Sequence, residues 1–489
     1  MRWQQAACNQ NPAIRNPMSG HTKSPTPDPD PKPQPAAPGG GTTGKHLGLG
    51  AGGAVENSFQ NAPLVMGNPI YNVGLGVDPT VVGIALALPR IWELVLDPII
   101  GAASDRTTGR LGRRLPYMIG GLLGSFLFFV AIWFAPSGWS HGMLGAWLIV
   151  TSLLFYTAYS FFAVPYAALT IDATRAGADR IGVMTVRAAM AGGSGLVMGW
   201  LYWLCQREWF SSPVEGMRWV GIGFGFLILL FGVWVVWTTL RLGLHRETPV
   251  EHPAGKSPAL AARYRDLLRL GSLRRLLVAL FSIMLGFLLV SHLGFYLVAY
   301  YACGGDLKYA SLVMGAKGTI AVVVGTLACP AIGALAKRLG RAPVFNSLLA
   351  IGLAGTVSTW FLVTPANPWL SIGSDILVAI GLNGFWLLMP AYLGDVADVQ
   401  ETARGVSCQG ALAALYGNAV KIGASLALLL TGYVLVVCGF QADMGQAAMG
   451  QPIFWMRLLY ATIPALGILL AFFAMRKFNP HAASESAIP

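Results

Sequence analysis

The sequence predicts an all-α integral membrane protein with twelve transmembrane helices in two six-helix bundles, and three observations carry that expectation. Of its 489 residues, 55% are hydrophobic and only 11% charged, against about 25% charged in an ordinary soluble domain. A surface this poor in charge cannot face water over most of its area, so the apolar excess belongs in lipid. Apolar runs long enough to cross a bilayer, at roughly 20 residues each, recur along the chain with turn residues between them. The second half of the chain repeats motifs of the first in register. The same composition excludes a cytosolic enzyme, a secreted disulfide scaffold and a disordered regulator.

The elements follow in order. Residues 1–44 read as a disordered cytoplasmic tail. The run Ser24-Pro-Thr-Pro-Asp-Pro-Asp-Pro-Lys-Pro-Gln-Pro35 cannot enter helix or sheet ladders, and the tail lacks the apolar core of a secretory signal. Spans are expected at about 46–76, 80–104, 116–136, 142–172, 182–206 and 218–240, then at 275–302, 311–336, 343–365, 371–397, 406–438 and 453–475. The bundles are therefore 45–240 and 275–478, joined by a cytoplasmic loop at 241–274 and followed by a tail at 479–489.

Charge orients these spans. The net charge is +12, from 33 Lys+Arg against 21 Asp+Glu. Basic residues cluster at Arg106, Arg110, Arg113 and Arg114, again from Arg241 to Arg275, and at Lys337, Arg338 and Arg341. Beyond the N-terminal tail, only Arg207, Arg218, Lys308 and Arg457 fall on the other side. The asymmetry places both termini and the central loop in the cytoplasm. No basic–aromatic patch points to nucleic acid. Cys8, Cys205, Cys303, Cys329, Cys408 and Cys438 are scattered without a CxxC spacing. They read as small buried hydrophobes, not as disulfides or zinc ligands.

The repeat defines the architecture. Pro98-Ile-Ile-Gly101-Ala-Ala-Ser-Asp105-Arg106 returns as Pro330-Ala-Ile-Gly333-Ala-Leu-Ala-Lys337-Arg338, and each copy is followed by Leu-Gly-Arg, at Leu111–Arg113 and Leu339–Arg341. A weaker echo pairs Val164-Pro165-Tyr166 and Arg180 with Met389-Pro390-Ala391 and Arg404. Two parallel six-helix halves make the major facilitator arrangement. Two phosphate-binding patterns fail beside it. Gly39-x4-Gly44-Lys45-His46 has His where Ser or Thr would hold magnesium, and Gly48-x-Gly50-x-x-Gly53 follows no strand. In a membrane helix the latter glycines read as close helix packing. With no nucleotide site, uphill transport needs an ion gradient.

Ionisable residues inside spans mark mechanism, because a charge at mid-bilayer costs about 2.5–3.5 kcal/mol on insertion scales. Glu93 and Asp97 are four residues apart on one face of the second span, with Arg90 a turn earlier. Such a pair can hold a proton or coordinate a small cation through oxygen. The plainer alternative is that Arg90 neutralises Glu93 and Asp97 caps near Pro98. Arg187 and Lys421, in the fifth and eleventh spans, can bind a polyhydroxylated substrate or pair with the carboxylates across the cavity. Lys317 reads as snorkelling to the interface. Glu56 lies in a polar first span beside Asn57, Ser58, Gln60 and Asn61 and is a cavity-lining candidate. Tyr159, Tyr202, Trp203, Tyr296, Tyr300 and Trp386 could each stack on a sugar ring, although packing is the commoner use of a membrane aromatic; His292 reads as core.

Arg90-Ile-Trp-Glu93-Leu-Val-Leu-Asp97-Pro98 resembles the second-helix signature of the glycoside–pentoside–hexuronide cation symporters. The loop Ser104–Tyr117, Val164-Pro165-Tyr166-Ala-Ala-Leu169, and Tyr392-Leu-Gly-Asp395-Val-Ala-Asp398 followed by Lys421 are similar to other motifs of that family. The resemblance spans about residues 46–475. It implies that Glu93 and Asp97 form the cation site, with Ser160 in place of a Thr that contributes oxygen. It also implies that Arg187 binds sugar and that Lys421 lies near the cation pocket. Three positions depart from the family. Leu96 replaces an Asn near the cation, Ala163 an acidic sugar-binding residue, and Val55 a first-helix Asp for which Glu56 substitutes if the register slips by one. The reduced oxygen shell favours protons over sodium.

The expected protein is thus a secondary transporter, not an enzyme, moving a sugar or glycoside with a proton by alternating access. Substrate would contact Arg187, Lys421, Glu56, Tyr159 and Trp386. Asp105, Arg106, Arg110, Arg113 and Arg114 would form a cytoplasmic gate, with Asp172, Asp395 and Asp398 as partners. No cofactor is expected beyond the coupling ion. A monomer in the bacterial inner membrane is expected. Competing readings are a transporter of a nucleoside, amphipathic lipid or drug, and a non-transporting sensor.

Overall fold

The computed structural model describes residues 41–174, 177–244, 265, 267–404, 409–439, 450–476 and 478. Most of the 1–44 tail, most of the 241–274 loop and the 479–489 tail lie outside these residues, as do Cys8 and Cys408. Twelve spans follow in order among the described residues. The first consists of Gly41–Gly50 and Gly52–Gly67, continued by a π-helical turn at Asn68–Gly74. The next five are Pro79–Arg106, Leu115–Trp133, His141–Asp172, Gly177–Cys205 and Pro213–Arg241. The seventh is Gly271–Tyr296, extended by a second π-helical turn at Leu297–Ala302. The last five are Leu307–Leu339, Arg341–Leu362, Ser371–Arg404, Gln409–Val437 and Gly450–Arg476.

Eleven of these are long and apolar enough to cross a membrane by length and composition. The first is too polar to meet that measure because it carries Glu56, Asn57, Gln60 and Asn61. It is instead surrounded by protein, with Ala54, Val55, Phe59 and Ala62 all buried. Helical structure begins at Gly41, a few residues inside the expected tail. The end of the expected central loop is also packed: Leu267 and Leu270 are buried with Val396 and Leu412 at the ends of the tenth and eleventh spans.

Each half has its own core. Phe59, Phe129 and Phe155 meet with ring centroids 5.6–5.7 Å apart in the first, while Leu280, Phe345, Phe385 and Ile468 cluster in the second. Side-chain caps start the spans where the chain turns: Asp78 accepts from Thr80 N, Ser212 from Glu215 N, and Asp306 from Tyr309 N. The repeated Leu-Gly-Arg is structural as well. Gly112 and Gly340 both adopt positive φ, at 74° and 89°, a conformation only glycine enters without strain.

Contacts between the halves lie at mid-depth and at the end opposite the 106–114 loop. A Cβ on Gly432 would meet the Pro79 carbonyl oxygen at 2.5 Å, and one on Gly83 the Leu428 carbonyl oxygen at 3.0 Å, so the second and eleventh spans touch backbone to backbone. Trp200 Nε1 donates to Thr319 Oγ1 at 2.9 Å between the fifth and eighth spans. Tyr296 OH donates to Asn72 Oδ1 at 2.6 Å, joining the π-helical ends of the first and seventh. Beyond them Lys308 pairs with Glu208 at 3.0 Å, and that hydrogen bond holds the Glu208 carboxyl below its ordinary range. At the basic end, the ion pairs of Arg113 and Arg114 with Asp172 and of Arg341 with Asp395 each lie within one half.

Candidate functional site

The second span carries three charged residues on the face turned to its neighbours. Arg90 and Glu93 are only 4% and 1% exposed. Arg90 contacts Glu93 Oε2 at 3.3 Å, donates to the Gln60 carbonyl at 2.6 Å, and lies 4.4 Å from the centre of the Tyr156 ring. Tyr156 OH donates to the same carbonyl at 3.1 Å. Arg90 is therefore fixed from three directions. It pairs with Glu93 as the first part of the plainer alternative has it, but Asp97 does not cap near Pro98: its Oδ2 goes to another partner and its Oδ1 has none.

That partner comes from the other half. Lys421 Nζ of the eleventh span donates to Asp97 Oδ2 and lies 3.9 Å from Glu93 Oε2. Two cations and two carboxylates thus form one neutral cluster across the seam. Its donors do not saturate it, because Glu93 Oε1 and Asp97 Oδ1 are buried without a hydrogen-bond partner. A buried polar atom left unpaired costs about 1–3 kcal/mol, so these oxygens offer a place to a proton or small cation. Ser160 is buried on the fourth span, but among the described residues it donates no hydrogen bond to either carboxylate.

A second ion pair lies wholly in the first half. Arg187 donates through Nε to Glu56 Oε2 at 2.7 Å, and its NH2 group lies 2.5 Å from the same oxygen. It also sits 5.5 Å from the centre of the Tyr166 ring. The glycines of the discarded nucleotide pattern make this approach possible. A Cβ on Gly50 would meet Val186 at 2.5 Å, one on Gly53 would collide with the Arg187 backbone, and one on Gly48 with Thr238. Close helix packing is indeed their use. Nearby, Asn57 Nδ2 donates to the Ala191 carbonyl at 2.9 Å and to Ser194 Oγ at 3.0 Å. Arg187 and Glu56, both expected to meet substrate, therefore pair with each other and not with the second-span carboxylates.

The expected aromatics are mostly packing residues. Tyr159 is buried edge-on against Tyr156, with its hydroxyl 3.5 Å from the Glu56 carbonyl. Trp386 lies against the second-half core beside Phe385. Tyr202 packs on Phe295, Tyr300 stacks on Tyr296, and Trp203 lies under Arg207.

The gate residues divide by half. Asp172 accepts from Arg113 at 2.8 Å and pairs with Arg114 at 2.5 Å, while Arg114 lies 3.4 Å from Asp105. Asp395 does not meet this loop: it takes both its contacts from Arg341 Nη1, at 2.6 and 2.7 Å. Arg341 is the second-half counterpart of Arg113 in the repeat, so each half closes its own loop onto its own helix end. Asp398, Arg106 and Arg110 are exposed.

Lys317 corrects the snorkelling expectation. It is 8% exposed and pairs with Asp375 of the tenth span at 3.3 Å. Its ammonium is turned to a carboxylate of a neighbouring helix inside the protein. Asp375 went unremarked in the sequence, although a lone carboxylate within an apolar run was a visible signal.

Two helical bundles with separate cores, meeting along a seam that holds a shared ion-pair cluster, define a multi-pass membrane transporter of the major facilitator type. The chain belongs to the MFS/sugar transport protein family, whose model matches residues 48–479. An uncharacterised symporter of Synechocystis sp. is 25% identical over 486 residues, covering 81% of this chain and 88% of the relative. The glucuronide carrier protein homologue of Escherichia coli is 23% identical, covering 82% of this chain and 85% of its own. The structure also matches an inward-facing, unoccupied bacterial homologue of the human lysosomal transporter Spinster, with a TM-score of 0.64 at 14% identity, covering 90% of this chain and 98% of that one. At that identity the match shows the shared fold.

Proposed function

We propose that this protein is a proton-coupled symporter of a sugar or glycoside, working by alternating access, with both termini and the basic loops in the cytoplasm of a bacterial cell. The observation that carries the reading is the Lys421–Asp97 ion pair across the seam, beside two buried carboxylate oxygens that no donor satisfies. Because the four-residue cluster is already neutral, an added cation must displace something. A proton on Asp97 cancels its attraction for Lys421, so loading the site releases a contact between the halves. Sodium needs several oxygens at short range, and this cluster presents few. The family description and the glucuronide carrier homologue support a sugar-like cargo. Arg187 and Glu56, already hydrogen-bonded to each other, supply a donor and an acceptor that hydroxyl groups can share. Contacts that join the seam at the end opposite the basic loops, Tyr296 with Asn72 and Lys308 with Glu208, are those an inward-facing state of such a symporter would keep.

The test adds a panel of glycosides, pentosides and uronides to de-energised cells expressing the protein and records external pH. One sugar should alkalinise the medium. No pH change with any of them, with and without sodium and with radiolabelled binding checked, overturns the proton–sugar reading in favour of a lipid or nucleoside cargo.

A further inference from the structure

The third and fourth spans leave an open groove on the outer surface of the first bundle. It encloses about 500 Å³ and is lined chiefly by Tyr117, Gly120, Gly124, Phe128, Leu154 and Phe161. Tyr117 and Phe161 stack with ring centroids 5.9 Å apart and planes 9° from parallel, forming one wall. The floor is made of small residues. Gly124 faces Ala158, and a Cβ on Gly120 would touch nothing within 4 Å.

The groove runs along the third span from Pro116 to Phe128. At 1.5 Å per residue that is about 18 Å, close to the roughly 15 Å of one hydrocarbon leaflet. Its mouth lies at the basic end. There Tyr117 OH and Thr107 Oγ1 are 2.9 Å apart, which ties the groove wall to the residue that follows Arg106. Arg113 and Arg114 are engaged by Asp172, and Asp105 by Arg114. Arg106 and Arg110 are exposed and form no ion pair among the described residues.

We propose that this groove binds one acyl chain of an anionic phospholipid from the leaflet at the basic end, with the headgroup phosphate held by Arg106 and Arg110. Apolar depth matches the chain, and uncompensated positive charge at the mouth matches the headgroup. A zwitterionic headgroup brings an ammonium that gains nothing from two free guanidinium groups. The site is separate from the seam and does not depend on which cargo the protein carries.

Native mass spectrometry of the delipidated protein, titrated with dioleoylphosphatidylglycerol or dioleoylphosphatidylcholine, tests the proposal. The protein should retain phosphatidylglycerol at least threefold better. Gly120→Leu, which fills the floor without a clash, should lose retention of that lipid. Gly223→Leu, an equally open position on the sixth span, should keep it. Arg106→Gln with Arg110→Gln should leave the two lipids bound equally. Equal retention by the unmodified protein overturns the proposal. So does a Gly120→Leu protein that behaves like Gly223→Leu, or an unchanged preference after both arginine substitutions.

Discussion

Lys421 on the eleventh span reaches across the seam between the bundles to Asp97 on the second, and the same ammonium lies 3.9 Å from Glu93. One cation thus serves two carboxylates, and it is the cation contributed by the other half. The neutral cluster is partly shielded, with the Lys421 side chain 29% exposed and Asp97 22%. Removing one partner of a fully buried pair destabilises by about 3–5 kcal/mol; partial exposure brings this closer to 2 kcal/mol.

Thermal unfolding of the purified protein should therefore show a double-mutant signature. Lys421→Gln leaves Asp97 and Glu93 with Arg90 alone and should lower Tm by several degrees. Adding Asp97→Asn to it should restore most of the loss. If the double variant is less stable than Lys421→Gln, the two residues do not act as a pair.

Arg187 and Glu56 should act in cargo affinity. Lys cannot reproduce a planar guanidinium held against Glu56 and Tyr166, so Arg187→Lys should raise the KM for uptake about tenfold, near 1.4 kcal/mol. Glu56→Gln should do the same. An unchanged KM for both variants would remove the pair from the cargo site.

The Glu208–Lys308 bridge, an exposed ion pair, joins the halves at the end of the seam opposite the basic loops. Cross-linking a Glu208→Cys/Lys308→Cys variant should stop transport, and reductant should restore it. Lys308 lowers the Glu208 pKa, so the bridge contributes fully above the ordinary carboxylate pKa and is lost only as pH falls through the lowered value. Near neutrality the pH profile of Lys308→Gln should therefore superimpose on that of the unmodified protein. A profile that moves there would assign pH sensing to this bridge.

Gly432 touches the Pro79 carbonyl closely enough that any side chain must separate the second and eleventh spans. Gly432→Val should slow transport and raise maleimide labelling of cysteines placed along the opposite end of the seam. Labelling equal to that of the parent would show that this contact does not hold the end shut.

Local sequence carried much of this architecture. The two Leu-Gly-Arg copies marked the repeat, and their glycines, Gly112 and Gly340, share a positive φ that the repeat alone did not reveal. The spacing of Arg90, Glu93 and Asp97 placed them on one helical face before any tertiary contact was known. Partner choice was another matter, because it depends on which spans lie side by side. Arg187 was expected to meet substrate or the second-span carboxylates, and it takes Glu56 instead. Asp395 takes Arg341, its own half's arginine. Lys317 finds Asp375, 58 residues away across a helix pair. Helical periodicity describes a face without describing what that face meets.

The central claim is that a proton on Asp97 releases Lys421 and couples cargo to the gradient. Once a transported sugar is known, the most direct measurement compares Asp97→Asn with the unmodified protein in proteoliposomes, for uptake driven by an inward proton gradient and for exchange of labelled against unlabelled sugar at equilibrium. The account predicts that Asp97→Asn loses gradient-driven accumulation by at least tenfold yet still exchanges sugar. Accumulation at the unmodified level in Asp97→Asn would contradict it.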